Sequence, residues 1–267
     1  MIIAMAHLLI FDALNLIRRL HAAIGKQPLP AESLLKATCQ RVQQTVRGIL
    51  DEVTPSHVIA VFDGESPSWR HELYPEYKAG RSPMPPELAT GMETLQESLW
   101  HCGVDALLSE GDEADDLIAT LNQQLFLHQQ QVTLISTDKG FCQLLDTGIQ
   151  IRDYFNRRWL DHAFVQQEYG LPAASLVDYW AITGIAGSNI RGVAGVGPKG
   201  AQQLLTRYGS LTAILEQAAP DDKLAAKVLA QRDEALLAQT LAGLRTDIPL
   251  GFNLKDIRYP STAMPVR

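Results

Sequence analysis

Three short apolar runs, each followed by an aspartate, restrict the folds open to this chain more than any other sequence feature. They are residues 8–11 before Asp12, 58–62 before Asp63, and 132–137 before Asp138. Continuous apolar residues rich in β-branched side chains, rather than alternating ones, are typical of strands buried on both faces. We therefore predict three central parallel strands.

Helical patterns separate these runs. Residues 34–50 carry a weak apolar stripe, and a helix with one apolar face begins near Glu113. This alternation predicts an α/β fold with a mostly parallel central sheet flanked by helices. After about Asp161 the pattern changes to short helices with glycine-rich turns, which predicts a second, helical subdomain.

The composition is that of an ordinary globular protein. With 267 residues, 46% hydrophobic and 20% charged, the chain is neither collagen-like nor disordered. Three cysteines without a CxxC pair indicate neither a disulfide framework nor a zinc site. No apolar run is long enough for a membrane span, so we expect a cytoplasmic protein without a membrane partner. The net charge of −7 argues, at first sight, against a nucleic-acid-binding protein.

Six acidic residues are predicted to share one edge of the sheet: Asp12, Asp63, Glu113, Asp115, Asp116 and Asp138. The three strand-end aspartates meet because the carboxyl ends of parallel strands lie together, and the other three open the helix that begins near Glu113. Left uncompensated, six carboxylates would repel each other by roughly several kcal/mol, so we expect a hard divalent cation there. Mg²⁺ completes its coordination with water and phosphate oxygens, which indicates phosphodiester chemistry. The alternative for each residue alone is a turn, a helix cap or a charge that offsets a helix dipole.

A glycine-rich segment is predicted to bind phosphate through its main chain. It comprises Gly195, Val196, Gly197, Pro198, Lys199 and Gly200. The segment matches GxGxxG but lacks the preceding strand of a dinucleotide site, and Pro198 stands where a P-loop has its lysine. We interpret it as a turn between two short helices that grips a nucleic-acid backbone without reading bases, and whose carbonyl oxygens are directed together at a monovalent cation. The alternative is an ordinary packing corner between helices.

Two basic and aromatic segments are candidates for contact with a polyanion. The first follows the Asp63 strand, is rich in proline and glycine, and carries Tyr77, Lys78 and Arg81. We expect it to be a flexible segment that holds a chain against the metal site, with Tyr77 stacked on a base. An ordinary solvated loop has a similar composition. The second, residues 152–159, interleaves arginines with aromatic residues, and such aromatic residues more often belong to the core than to a nucleotide platform.

Together these motifs resemble the 5′ nuclease (flap endonuclease) family, which includes the 5′ nuclease domain of bacterial DNA polymerase I. The matching segments are FDALNLIRR, VFDGE, WRHELYPEYKAGR, GDEADDLIATL, STDKGFCQLL and GVAGVGPKGAQQLL. The resemblance is greatest to stand-alone bacterial members. It implies a PIN-like nuclease core over residues 5–161 with an arch at about 70–95. It also implies a helical DNA-binding subdomain over 162–255, with a helix-hairpin-helix (helix-three-turn-helix) at 182–209, and a C-terminal tail over 256–267.

The resemblance also implies roles for individual residues. The six acidic residues would hold Mg²⁺ or Mn²⁺, two ions per chain. Lys78 and Arg81 would be catalytic cations that clamp the scissile phosphate, and Tyr77 would lie in the arch through which a 5′ single strand passes. The helix-hairpin-helix would bind duplex DNA with K⁺ held by the main-chain carbonyls of Ile182, Thr183, Arg191, Val193 and Val196.

The chain departs from the family pattern at the second metal position, with Gly140, Ile185 and Ser188 where the family has acids. Two functions therefore stay open. One is a structure-specific 5′ flap endonuclease that hydrolyses DNA at single-strand/duplex junctions by divalent-metal catalysis. The other is a DNA-structure-binding protein with weakened or lost nuclease activity; a metal-dependent RNase is disfavoured by the glycine-rich turn. The expected partner is DNA with a 5′ single-stranded flap or overhang, bound by a monomer that associates with the nucleoid.

Overall fold

The computed structural model describes residues 5–25 and 30–259, and a six-stranded sheet forms its centre. The strands are β1 (His7–Asp12), β2 (His57–Phe62), β3 (Asp105–Leu108), β4 (Gln131–Ile135), β5 (Gln150–Asp153) and β6 (Arg158–Trp159). Their order across the sheet is β3-β2-β1-β4-β5-β6, and every neighbouring pair is parallel except β5 with β6. The three predicted strands are the adjacent β2, β1 and β4, so the mostly parallel sheet is confirmed.

Helices surround this sheet and continue beyond it. In the described part of the chain they are α1 (Ala13–Ile24), α2 (Ala31–Val53), α3 (Trp69–Leu73), α4 (Pro86–Thr90), α5 (Met92–Trp100), α6 (Ala114–Leu127), α7 (His162–Tyr169), α8 (Leu176–Thr183), α9 (Pro198–Tyr208), α10 (Leu211–Gln217), α11 (Lys223–Ala230) and α12 (Arg232–Ala242). Residues 139–147 form a 3₁₀ helix, and the short strands β7 (Gly184–Ile185) and β8 (Ile190–Arg191) pair antiparallel between α8 and α9.

The sheet is covered on both faces, which explains its continuous apolar strands. Successive side chains of a strand point to opposite faces. Leu9 and Phe11 accordingly pack with α1, α2 and α5, while Leu8 and Ile10 pack with α6 and the 3₁₀ segment. This packing fixes the position of each strand along its own axis, so the residues that follow the strands lie together at one edge of the sheet.

A separate apolar cluster lies among the helices from α8 to α12. The buried face of α9, with Ala201, Leu204 and Leu205, packs into it. The predicted helical character after residue 161 is confirmed, because α7 begins at His162. No helix in the described ranges is long and apolar enough to cross a membrane.

The end of the described chain packs against the sheet rather than trailing away. The Tyr259 main-chain N–H donates to the Ser56 carbonyl at 2.8 Å, and Arg258 pairs with His57 at the start of β2. Within the predicted tail, residues 256–259 therefore belong to the folded body, and residues 260–267 lie outside the described residues.

Candidate active site

Four aspartates meet at the carboxyl edge of the sheet. Asp12 ends β1, Asp63 follows β2, and Asp138 lies three residues after β4. Asp115 joins them from the first turn of α6. Because β2, β1 and β4 are neighbours, their carboxyl ends lie side by side, as the strand-end pattern predicts.

Three of these aspartates also cap helices, so the capping interpretation is correct as well. Asp12 Oδ1 accepts from the Asn15 main-chain N–H at 3.4 Å, and Asp138 Oδ1 accepts from that of Gly140 at 2.7 Å. Asp63, which follows β2, accepts through Oδ1 from the main-chain N–H of Ala114, the first residue of α6, at 2.8 Å. It therefore satisfies a free N–H group at the start of that helix. Within the described residues, Oδ2 of Asp63 and of Asp138 accepts no hydrogen bond, so each retains an oxygen for a ligand.

The carboxylates carry more negative charge than their surroundings balance. Burial, together with the charges of Asp138 and Asp63, raises the pKa of Asp12 to about 7 and the pKa of Asp115 well above its usual range. A hydrogen bond at 2.7 Å from the Ser136 hydroxyl to Asp12 lowers the pKa of Asp12 only in part. Hard oxygen donors under mutual repulsion suit a hard divalent cation. No three His, Cys, Asp or Glu side chains in residues 5–25 and 30–259 form a complete metal-binding group by themselves.

Asp116 is held in a buried ion pair, whereas the sequence predicts it to be a metal ligand; that role stays a prediction. Its side chain is wholly buried, and Oδ1 and Oδ2 accept from Arg70 Nη2 and Nη1 at 2.8 and 2.7 Å. Trp69 Nε1 and the Arg245 main-chain N–H also donate to it, at 3.0 Å each. These bonds lower the pKa of Asp116 although burial opposes them. Its i, i+3 relation to Glu113 serves a structural ion pair.

Arg70 is the functional residue that sequence reasoning missed. It is 1% exposed, and besides Asp116 it contacts Glu113 Oε2 at 2.9 Å and the carbonyls of Leu241 and Gly243 at the end of α12. It therefore ties α3, the start of α6 and the helical cluster together. The buried carboxylates of Glu113 and Asp116 require a positive partner. Nothing in the sequence indicates that this partner is Arg70, which precedes them by 43 and 46 residues.

Tyr77 is buried, whereas the sequence predicts that it stacks on a base; that role stays a prediction. Its side chain is 6% exposed, packs in the helical cluster, and has its ring edge against His71 at 5.2 Å. Its hydroxyl donates to Glu113 Oε2 at 3.0 Å, and burial raises the pKa of Tyr77 above its ordinary value. In the structure the Tyr77 hydroxyl therefore helps to orient the Glu113 carboxylate.

Lys78 and Arg81 reach the same region from a segment docked on the loop between β7 and β8. Lys78 Nζ contacts Glu113 Oε1 at 2.6 Å, while its main-chain N–H donates to the Ser188 carbonyl at 2.8 Å. Arg81 donates to the Gly187 carbonyl at 2.7 Å and to Ser188 Oγ at 3.1 Å. The segment predicted to be flexible is held at this point, and Ser188, one of the three departures from the acidic pattern, serves as an anchor for Arg81.

An open cavity of about 320 Å³ lies between these groups. Asp115, Asp138 and Glu113 line one side, and Lys78, Arg81 and Lys139 bring positive charge to it. Carboxylates beside cations in one open cleft can hold a cation and a bound anion simultaneously.

The glycine-rich turn is exposed where it is predicted to grip a backbone. Gly195, with φ +78°, Gly197, Pro198 and Lys199 are exposed, and Val196 is buried beneath them. α9 begins at Pro198, so its free main-chain N–H groups face outward from the turn.

The carbonyls predicted to hold K⁺ lie at the base of this turn. At least two of the five already accept main-chain hydrogen bonds, Ile182 from Val193 at 2.8 Å and Val193 from Val196 at 3.1 Å. Neither bond uses both lone pairs of its oxygen, so the potassium site stays a prediction.

Nearly the whole chain is similar to known 5′-3′ exonucleases. Residues 7–170 match the family model "5′-3′ exonuclease, N-terminal resolvase-like domain", and residues 171–264 match "5′-3′ exonuclease, C-terminal SAM fold". The chain is 60% identical over 260 residues to Flap endonuclease Xni of Tolumonas auensis, covering 97% of this chain and 100% of that protein. It is 48% identical over 263 residues to Flap endonuclease Xni of Vibrio cholerae, covering 96% and 98%.

Solved structures share the fold at lower identity. A zinc-bound T5 5′-exonuclease aligns with a TM-score of 0.75 at 24% identity, covering 90% of each chain. The catalytic core of Rad2 in complex with DNA aligns with a TM-score of 0.56 at 15% identity, covering 91% of this chain and 79% of that one.

Proposed function

Because the chain belongs to the 5′-3′ exonuclease family, we propose that it is a flap endonuclease that hydrolyses DNA phosphodiester bonds at the junction of a 5′ single-stranded flap and a duplex. The observation that carries this proposal is the group of four aspartates at one sheet edge, beside an open cavity that Lys78 and Arg81 also line.

The metal centre is proposed at Asp12, Asp63, Asp115 and Asp138. Glu113 borders it but is engaged by Arg70, Tyr77 and Lys78. A Mg²⁺ or Mn²⁺ ion there would supply activation of water and neutralisation of phosphate charge. Since the described residues offer no complete ligand group, water and phosphate oxygens would complete the coordination.

The protein's own groups bind and orient the substrate. Lys78 and Arg81 are proposed to hold the scissile phosphate against the aspartates, where fixed cations stabilise the charge that develops on its oxygens. Glu113 positions Lys78, and the Ser188 loop positions Arg81.

Further details of the proposal concern binding. The exposed main chain of residues 195–200 would bind the duplex backbone, with K⁺ on the carbonyls beneath it. The same proposal includes two divalent ions per chain and a protein that is monomeric and cytoplasmic. It also divides the chain into a nuclease core and a helical DNA-binding subdomain. The binding-only alternative is not favoured, because relatives that are 48–60% identical to this chain over nearly its whole length are named flap endonucleases.

Asp115→Asn tests the catalytic role, with Asp112→Asn as the matched control. Asp112 lies three residues earlier and pairs with Arg245 at 3.3 Å, so its substitution removes the same charge outside the cavity. With a labelled 5′-flap substrate and Mg²⁺, Asp115→Asn is expected to lose at least about a hundredfold in cleavage rate, because it removes a donor to the metal.

Substrate binding by Asp115→Asn is expected to stay close to that of the wild type, and EDTA is expected to stop wild-type cleavage. Asp112→Asn should cleave at nearly the wild-type rate. Wild-type cleavage by Asp115→Asn would contradict the proposed metal centre.

A further inference from the structure

A buried serine joins two of the four aspartates that are proposed as metal ligands. The Ser136 hydroxyl donates to Asp12 Oδ2 at 2.7 Å and accepts from the Asp138 main-chain N–H at 3.0 Å. The serine is only 2% exposed. Within the described part of the chain it is the one side chain that hydrogen-bonds to two of these four aspartates. We call this pair of contacts the serine bridge.

The register of the strands places Ser136 where it can form the bridge. Phe11 of β1 pairs with Ile135 of β4, and because the two strands are parallel, the following residues, Asp12 and Ser136, lie side by side. The Ser136 main-chain N–H donates to the Arg152 carbonyl of β5 at 3.2 Å. The main chain of the serine is therefore held by β5 on one side, while its hydroxyl reaches the carboxylate at the end of β1 on the other.

The direction of both hydrogen bonds of the bridge is determined. A main-chain N–H can only donate, so the Ser136 hydroxyl accepts from Asp138 and keeps its single proton for Asp12. Each oxygen of a carboxylate has two lone pairs, so the bond to Oδ2 leaves that oxygen able to coordinate a cation. The bridge therefore orients the Asp12 carboxylate without occupying it.

Asn15 holds the same loop from the side of α1. Its Oδ1 accepts from the Thr137 hydroxyl at 3.0 Å and from the Thr137 main-chain N–H at 3.3 Å. Its own main-chain N–H donates to Asp12 Oδ1 at 3.4 Å. The loop that carries Ser136 and Asp138 is thereby tied to both β1 and α1, so the position of Asp138 depends on that of Asp12.

The alternative is that the hydroxyl only satisfies a main-chain N–H group. Such groups nearly always have a partner in folded proteins, and a serine side chain is one of the groups that provide it. The serine bridge differs because both residues that it joins are proposed ligands of a metal ion. Loss of a side chain that orients metal ligands typically lowers metal affinity by roughly 10–100-fold.

We propose that Ser136 is a positioning residue of the metal centre, which fixes Asp12 relative to Asp138 before a divalent cation binds. The proposal rests on the proposed function, because that function assigns both aspartates to the metal. Ser136 acts through the two carboxylates and contacts no substrate itself. Ligands that are already held in place bind a cation more tightly than ligands that must first be ordered.

Binding of Mn²⁺ in the absence of DNA tests the proposal, followed by the electron paramagnetic resonance signal of the free ion. Ser136→Ala removes the hydroxyl. Ser136→Cys is a second variant, because a thiol has a similar shape but is a weak donor and acceptor. The matched control is Ser98→Ala, since Ser98 is 4% exposed and its hydroxyl donates to the Thr94 carbonyl at 2.9 Å within α5. Thermal unfolding in EDTA shows that each variant is folded.

Both Ser136 variants are expected to bind Mn²⁺ at least about tenfold more weakly than the wild type. Ser98→Ala should bind Mn²⁺ with wild-type affinity, even though it also loses a buried hydrogen bond. A serine with a merely structural role would lower the unfolding temperature but leave the Mn²⁺ affinity of the folded protein unchanged. Wild-type Mn²⁺ affinity in either folded Ser136 variant would therefore overturn the proposal.

Cleavage of a labelled 5′-flap substrate is measured separately. If the wild type binds Mn²⁺, the Ser136 variants lose this affinity and no flap is cleaved, the proposed function is refuted and the serine bridge stands. If the wild type cleaves the flap but the Ser136 variants keep its Mn²⁺ affinity, the serine bridge alone is refuted. A wild type without measurable Mn²⁺ binding would also overturn the serine bridge, and cleavage would then decide on the proposed function.

Discussion

The clustered aspartates should destabilise the metal-free protein at neutral and alkaline pH, and Asp12→Asn should remove part of that cost. The pKa of Asp12 is raised from 3.8 to about 7, because the folded protein buries the carboxylate beside Asp138 and Asp63. A difference of about three pH units at about 1.4 kcal/mol each gives as much as about 4 kcal/mol. Asparagine caps helices as well as aspartate does, so the cap of α1 should be retained.

The sign of the effect follows from proton binding. Between about pH 4 and pH 7 the folded protein keeps the proton on Asp12 that the unfolded chain has released, so the free energy of unfolding falls as pH rises through this window. Asp116 acts in the opposite sense, because its pKa is lowered and its stabilisation is lost only as pH falls below its ordinary range. The two contributions therefore separate along the pH axis.

Urea unfolding in EDTA at about pH 5 and about pH 8.5 measures the difference. The stability advantage of Asp12→Asn over the wild type should grow from about 1–2 kcal/mol near pH 5 to about 4 kcal/mol near pH 8.5. Mg²⁺ should stabilise the wild type at the higher pH and the variant much less. Parallel pH profiles of the two proteins in EDTA would refute the reasoning.

Three further substitutions test particular contacts by denaturant unfolding. Arg70→Met should lower the free energy of unfolding by about 3–5 kcal/mol, because two buried carboxylates are left without their partner. A decrease below about 1 kcal/mol would contradict the ion-pair role. Tyr77→Phe keeps the ring and should lower the free energy of unfolding by only about 1 kcal/mol, the value of the lost hydrogen bond to Glu113; an unchanged free energy of unfolding would contradict the orienting role of the hydroxyl. Gly192→Ala should lower the free energy of unfolding by at least about 1–3 kcal/mol, since a Cβ there would lie 2.3 Å from the Thr183 main chain. The same variant should also lose duplex binding. Gly48→Ala in α2, where a Cβ meets nothing within 4 Å, is its control.

The fold could be predicted as far as its hydrophobic pattern extends. β1, β2 and β4 are buried on both faces and stand out in the sequence. β3 and β5 lie further from the centre of the sheet, where exposed positions alternate with less exposed ones and break the apolar run. Their existence depends on hydrogen bonds to a neighbouring strand, which composition alone does not reveal.

The site could be predicted where backbone topology alone places a residue. Asp12, Asp63 and Asp138 are fixed by the ends of neighbouring strands. The role of Asp116 depends instead on a contact with Arg70, 46 positions away, and the role of Tyr77 on a contact with Glu113, 36 positions away. Residue type alone does not distinguish a carboxylate that faces a cavity from one that faces a buried arginine.

The net charge of −7 does not argue against DNA as substrate, because charge acts locally. At physiological salt, exposed charges separated by more than about 8 Å are largely screened. Lys78, Arg81 and Lys139 line the cavity, so positive charge lies where a phosphate would arrive. Binding of two Mg²⁺ ions would add four charges and take the formal charge from −7 to −3, with the whole change at the sheet edge. Affinity for DNA should therefore increase with divalent metal and decrease with monovalent salt, since the first changes the local field and the second screens it.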